Sequence, residues 1–250
     1  MLNRLLVGDT RGVGDELAAL LLNLRSRLVE LEVAAGEIRS ASTNPRSAAL
    51  YGPYIGRAYL ETATTTLLAR FDPFRVLAAK RHQDAGYYET TQRSKSGVQW
   101  SGDIVSPEKP PKHLWSVDTR EVGCRSLLGP WVEDLVWMPA FEQFGDAIAA
   151  SGPVDDWITD LSKKSPDRFC KELRSSLEAL FSKFSKGVHS ELLGQRKTVF
   201  DLISIEADYR VVAQRITSLG LLSHFTEHFH CRLDREKAIR LADSIGRRWK

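Results

Sequence analysis

His189 is the residue of this chain with the plainest chemical potential. An imidazole titrates near neutrality and serves as acid or base toward any substrate that reaches it. Lys183, Ser185, Lys186 and Ser190 surround it in sequence with cationic and hydroxyl groups. The competing role is structural, a histidine at a helix end hydrogen-bonded to a neighbouring helix. A second constellation is His224, Glu227, His228, His230 and Cys231 in SHFTEHFHCR. Histidines at i and i+4 on a helix can share a metal, with Cys231 or Glu227 as a third ligand. No second ligand group stands at zinc-site spacing, however, and Leu222, Phe225 and Phe229 read as an amphipathic turn with aromatic packing, so neither a metal nor a cofactor is expected. A third group is basic: Arg240, Arg247 and Arg248, with Arg232, Arg235, Lys237 and Lys250, crowd the last helix. Phosphates could dock there, although the interspersed Asp234, Glu236 and Asp243 also fit a solvated face. Lys186, Arg196 and Lys197 complete the candidate nucleic-acid contacts. Arg75 and His82 form a further Arg/His pair, at a spacing that chance alone supplies. The chain has no G-x-x-x-x-G-K-[ST], G-x-G-x-x-G or G-x-S-x-G, which removes the common nucleotide-dependent and hydrolase chemistries.

The elements that must position these groups read as helices. In residues 165–193, Phe169, Leu173, Leu177, Leu180, Phe181, Phe184, Val188 and Leu192 recur at steps of three and four, one apolar stripe that must be buried. Ser165-Pro166-Asp167 supplies a capping hydroxyl, a preset φ and an acid at the positive helix end. This is the clearest amphipathic helix, and the rest of the chain is expected to pack around it. Residues 15–39 predict a long helix behind a flexible leader. Asn44-Pro45 and Asp72-Pro73 each open another, the first weakened by Pro53, Gly56 and the run Thr64–Thr66. Helical patterning returns at 120–138 and 140–150, around Trp157, and from Val199 to a stop at Gly220; LLSHFTEHFH and DREKAIRLADSIGRR also read as helical. Residues 165–220 predict an antiparallel helix pair. Residues 83–118 lack a sustained period and are rich in Gly, Ser, Lys and Pro. A loop of this length is commonly functional or partner-binding, and Tyr87, Tyr88 and Trp100 give it aromatic handles. The expected fold is mainly α, a single domain over residues 1–250: a bundle of about eight helices with one long irregular insertion.

Composition sets the bounds. The chain has 250 residues, 42% hydrophobic and 27% charged, as in ordinary globular proteins. Lys plus Arg is 35 against 32 acids, a net charge of only +3, so global charge makes no strong case for nucleic acid. The longest apolar run near the start, LAALLLNL, is far short of the roughly 20 residues that a spanning helix needs. Asp9, Arg11, Asp15 and Glu16 precede it, which speaks against a signal peptide. Three widely spaced cysteines with no CxxC fit free thiols in a reducing cytoplasm. A cytoplasmic protein without membrane contact is expected.

The order F-x-x-F-S-K-x-V-H, carried by Phe181, Phe184, Ser185, Lys186, Val188 and His189, resembles the aromatic-x-x-hydrophobic-Ser-x-x-Val-His signature of HEPN-like helical proteins found beside prokaryotic restriction and phage-defence genes. The earlier segment GRAYLETATTTLLARFDPFRVL is similar to the helix that packs next to that motif. Ribonuclease members of the class use an Arg and a His separated by four to six residues, paired across a dimer to act on the RNA 2′-hydroxyl and the scissile phosphate. The positions for that arginine here are Phe184, Lys183 and Ser182, and Lys183 is the only cation among them. A lysine neutralises phosphate without the planar bidentate fork. The resemblance therefore implies a helical interaction or RNA- or DNA-binding module of an antiviral defence system, working as a homo-oligomer or within a larger protein complex. Two alternatives stand beside it: a metal-independent ribonuclease with His189 and Lys183 as catalytic groups, and a scaffold without nucleic-acid contact.

Overall fold

In a computed structural model the structure describes residues 1–40, 45–91, 96–106, 126–189 and 199–248. Among these it is mainly helical, with no strand beyond a single bridge between Ser101 and Val105. Its ten α-helices are α1 (Leu2–Val7), α2 (Asp15–Ser40), α3 (Pro45–Phe71), α4 (Pro73–Asp84), α5 (Pro130–Val132), α6 (Met138–Ala150), α7 (Asp156–Ser162), α8 (Pro166–Val188), α9 (Leu202–Leu222) and α10 (Arg235–Gly246). A π-helical turn, Glu133–Trp137, joins α5 to α6, and another, Trp100–Ile104, lies in the irregular region after α4. None of the described helices is long and apolar enough to cross a membrane.

The helix at the centre is α3, not α8. It packs against α1, α2, α4, α8 and α9. Leu60, Ala63, Leu67, Leu68 and Ala69 are all fully buried, so at this level the helix is enclosed on nearly every side, the condition for an all-round apolar helix. Two threonines of the run that weakened the sequence reading, Thr64 and Thr66, are accommodated by their own backbone, as is Thr62 before them: Thr62, Thr64 and Thr66 donate to the carbonyls of Ala58, Leu60 and Thr62 at 2.7, 2.7 and 2.8 Å. A hydroxyl satisfied four residues back can be buried without an unpaired donor. Pro53 lies inside α3 without ending it. From Gly56 to Arg70 only Arg57, Glu61 and Thr65 reach the surface, a single stripe at steps of four.

Two contacts fix the relation of α8 to α9. Lys183 meets Asp208, and Arg215 donates to Ser176. The residue numbers rise on one helix as they fall on the other, so the two run antiparallel. Tyr209 of α9 donates its hydroxyl to the Gly52 carbonyl of α3 at 2.8 Å.

Several local expectations change. The stretch before α2 is not a flexible leader: α1 buries Leu2, Asn3, Leu5, Leu6 and Val7. Six residues are too few for a periodicity to show, and the helix is held by tertiary contacts. Ser165 makes no side-chain cap bond, although Pro166 occupies the first position as read. Gly220 does not stop α9; it lies inside the helix, where a Cβ would come within 3.2 Å of Leu6. SHFTEHFH is a run of turns rather than helix, pinned by the polar cluster described below. Asn44 and residues 120–125 lie outside the described residues, as does the middle of the 83–118 segment.

Candidate functional site

α3 and α8 cross at closest possible range because glycine stands on both sides of the contact. A Cβ on Gly56 would lie 2.6 Å from the Phe184 ring, and one on Gly187 would lie 2.4 Å from Pro53. The end of α8 is thereby pressed against the first half of α3. His189 is the C-cap residue, with extended φ −84° and ψ 154°, and its N–H still donates to the Ser185 carbonyl. That turn aims the imidazole across the crossing. Its Nε2 lies 3.1 Å from Nη1 of Arg57, on the stripe of α3 that reaches the surface. Arg57 is held in turn by Glu61 one turn on, Nε to Oε1 3.1 Å.

A guanidinium only donates, so in this contact His189 Nε2 is the acceptor. Beside the pair, Trp100 stacks on Phe181 with centroids 4.2 Å apart and planes 1° from parallel. The Arg57 guanidinium lies 4.9 Å from the centroid of the same Phe181 ring. The cluster therefore presents a fixed cation, an imidazole and an aromatic stack at a solvent-exposed helix junction, with Tyr54 one turn before Arg57 and 58% exposed. Such a set can neutralise a phosphate, take a proton from a hydroxyl and stack a base.

The other sequence-derived candidates are dispersed. Lys183 is engaged by Asp208 at 2.6 Å on α9, not by His189. Lys186 is exposed in the last turn of α8. Arg196, Lys197 and Ser190 lie outside the described residues. On α10, Arg240 pairs with Glu236 at 3.1 Å and Arg247 with Asp243 at 2.6 Å, each acid one turn back. Arg248 lines a separate cleft of about 590 Å³ between α2, α3 and α9, together with Glu32, Arg39, Tyr59, Glu206 and Arg210. Arg75 is bound to Asp72 and Asp103, while His82 lies against the rings of Tyr87 and Tyr88.

The histidine-rich turn proves to be a structural knot. His224 is 1% exposed. Its Nε2 donates to the Leu5 carbonyl at 2.9 Å, and its Nδ1 accepts from the Leu233 N–H at 3.0 Å and from Arg70 at 3.3 Å. Both ring nitrogens are thus occupied by protein. Burial and the neighbouring Arg70 hold its pKa well below the ordinary histidine value. Arg70, fully buried, also donates to the carbonyls of His230 and Leu6 and to the Ser223 hydroxyl, at 2.9, 2.9 and 2.8 Å. Burial lowers its pKa to about 9, still charged at neutrality. Among the described residues no group of three or more His, Cys, Asp and Glu side chains is placed to hold a metal.

Arg57, Glu61 and Trp100 are the members of the site that spacing around His189 does not reveal. They come from α3 and from the irregular segment, far away in sequence. The one available signal was the segment GRAYLE, whose Arg57 and Glu61 stand at i and i+4, a helical ion-pair spacing that leaves a cation facing outward. The chain matches no family model, no curated protein and no solved structure.

Proposed function

We propose that this protein is a HEPN-like component of an antiviral defence system, a helical module that binds nucleic acid at the Arg57–His189 cluster within a larger assembly. The observation that supports this reading best is the exposed Arg57–His189 contact at 3.1 Å with Phe181 stacked against it. A planar guanidinium recognises phosphate through its fork, and an aromatic stack beside a cation is the recurring means of holding unpaired bases. The F-x-x-F-S-K-x-V-H segment, with its likeness to HEPN-like proteins, contributes two members of the cluster, Phe181 and His189. The test is fluorescence anisotropy with labelled RNA and DNA oligomers. Binding should weaken as salt rises, with a log–log slope of about −0.7 per phosphate contacted on a single strand, and Arg57→Ala should lose roughly tenfold. No binding at low salt to any oligomer would remove the proposal and leave a scaffold.

A second reading, a metal-independent ribonuclease, is favoured by one specific observation. The arginine missing from the segment before His189 is supplied in space by Arg57 of α3. In this reaction His189 takes the 2′-hydroxyl proton, the 2′-oxygen bonds to the adjacent phosphorus, and the bond to the 5′-oxygen breaks, that oxygen gaining a proton from water. Arg57 neutralises the charge gathering on the phosphate oxygens. The products are a 2′,3′-cyclic phosphate and a free 5′-hydroxyl. Detection of those ends, abolished by His189→Ala and by Arg57→Ala but not by Lys183→Ala, would establish this reading; intact RNA after prolonged incubation would reject it.

A further inference from the structure

We infer that the outward ridge of α3, from Arg46 through Leu50 and Tyr54 to Arg57, is a track for a short single strand of RNA leading into the Arg57–His189 cluster. This rests on the reading of that cluster as a nucleic-acid contact. The steps of four, four and three keep the four residues within an arc of about 80° and spread them over about 17 Å of helix. All but Arg57 are exposed: Leu50 to 50% and Tyr54 to 58%, with Tyr51 beside them at 53%. Two exposed tyrosines and an exposed leucine on the central helix of a bundle need a reason, since most of that helix's apolar side chains are buried.

The charge pattern selects the occupant. Residues 46–57, RSAALYGPYIGR, hold a cation at each end and no acid between them. The first acid, Glu61, lies beyond the cluster, where it holds Arg57 rather than opposing an incoming anion. Cations interleaved with aromatic and aliphatic surface are the arrangement for phosphates and unpaired bases in alternation. The ridge is also bordered by apolar surface from the two helices that cross it. Val188 of α8 is exposed, and its neighbour Gly187, like Ile205 of α9, is in contact with α3, at Pro53 and Gly52 respectively. A base turned away from Tyr54 would rest there. A duplex keeps its base faces stacked inside and cannot use these rings, so the ridge selects single strands.

The experiment compares anisotropy of fluorescein-labelled U12 RNA, a U12·A12 duplex and an abasic ribose-phosphate 12-mer on wild-type protein, Tyr54→Ala, Tyr54→Trp and Arg46→Ala. Thermal unfolding serves as a folding control. U12 should bind wild type well above the duplex and the abasic strand. Tyr54→Ala should weaken U12 roughly tenfold and leave the abasic strand unchanged. Tyr54→Trp should keep the affinity and show fluorescence quenching on binding. Arg46→Ala should reduce the salt slope by about 0.7. If U12 binds in an Arg57-dependent way but Tyr54→Ala behaves as wild type, the track is wrong while the cluster assignment stands. If no nucleic acid binds, both fall. If an acidic peptide of equal charge displaces U12 and depends equally on Tyr54, the ridge belongs to a protein partner and the inference is overturned.

Discussion

Two buried titrating groups should impose opposite pH slopes on the stability of this fold, and in the wild-type protein they partly offset each other. Glu133, in the π-helical turn before α6, is 9% exposed and has its ion-pair partner Arg174 at 3.2 Å. Desolvation outweighs that partner, with Asp134 and Asp167 adding to it, and raises the carboxyl from 4.5 to about 7. The folded state therefore keeps a proton that the unfolded chain has released, and stability falls as pH rises from 4.5 to 7. The shift of 2.5 units at 1.36 kcal/mol each sets the full change at about 3 kcal/mol. His224 acts in reverse. Its folded pKa lies well below 6.5, so the unfolded chain gains a proton that the folded state refuses. Its stability contribution is present above pH 6.5 and is lost as pH falls below that value. Below pH 6.5 the two slopes are opposite in sign and partly offset each other. Urea unfolding at pH 4.5, 5.5, 6.5 and 8 tests this on wild type, Glu133→Gln and His224→Gln. Relative to wild type, Glu133→Gln should gain stability progressively as pH rises to 7, and His224→Gln should gain it progressively as pH falls below 6.5. Stability differences between each variant and wild type that stay constant across the series would refute the reasoning.

Other perturbations probe the packing. Arg70→Met leaves the Leu6 and His230 carbonyls and the Ser223 hydroxyl without their buried donor, and should cost about 3–5 kcal/mol by chemical denaturation. Gly56→Ala drives a methyl into the Phe184 ring; it should destabilise by about 1–3 kcal/mol and, by moving α8, lower nucleic-acid affinity although residue 56 touches no ligand. Lys183→Ala, which breaks only the contact with Asp208, should leave nucleic-acid binding within twofold in the anisotropy assay. Asp201→Ala removes the acceptor of the Ser204 N–H at the start of α9 and should cost about 1 kcal/mol.

What could be read from sequence was what periodicity encodes. The apolar stripe of α8, the Asp-Pro start of α4 and the short helix around Trp157 emerge because each repeats at 3.6 residues or carries its own cap. Centrality does not repeat in that way. α3 looks compromised by Pro53, Gly56 and three consecutive threonines, yet those residues are what a densely surrounded helix uses. Glycine admits a neighbouring ring, and a buried threonine satisfies its hydroxyl internally. The candidate site was half legible for the same reason. His189 announces itself by residue type, while Arg57 is an unremarkable surface arginine until α8 is laid across α3. The turns at 223–230 read as helix because their histidines and phenylalanines alternate helically, and the buried Arg70 that holds them lies 160 residues from His230.

The knot around Arg70 also sets an order of events. α1 is held by His224 on the Leu5 carbonyl, 219 residues away in sequence, and by Arg70 on the Leu6 carbonyl. Gly8, at φ 76°, then turns the chain so that the Asp9 N–H meets the Cys231 carbonyl at 2.9 Å. A six-residue helix has no stability of its own, so at synthesis rates of about 5–20 residues per second Leu2, Leu5, Leu6 and Val7 wait roughly 10–40 s for the turn that buries them. The beginning and the end of the fold are thus completed together. For that interval α1 has only α2 and α3 to pack against, and any shortening of the chain before residue 224 would remove the His224 and Cys231 contacts that complete its hold.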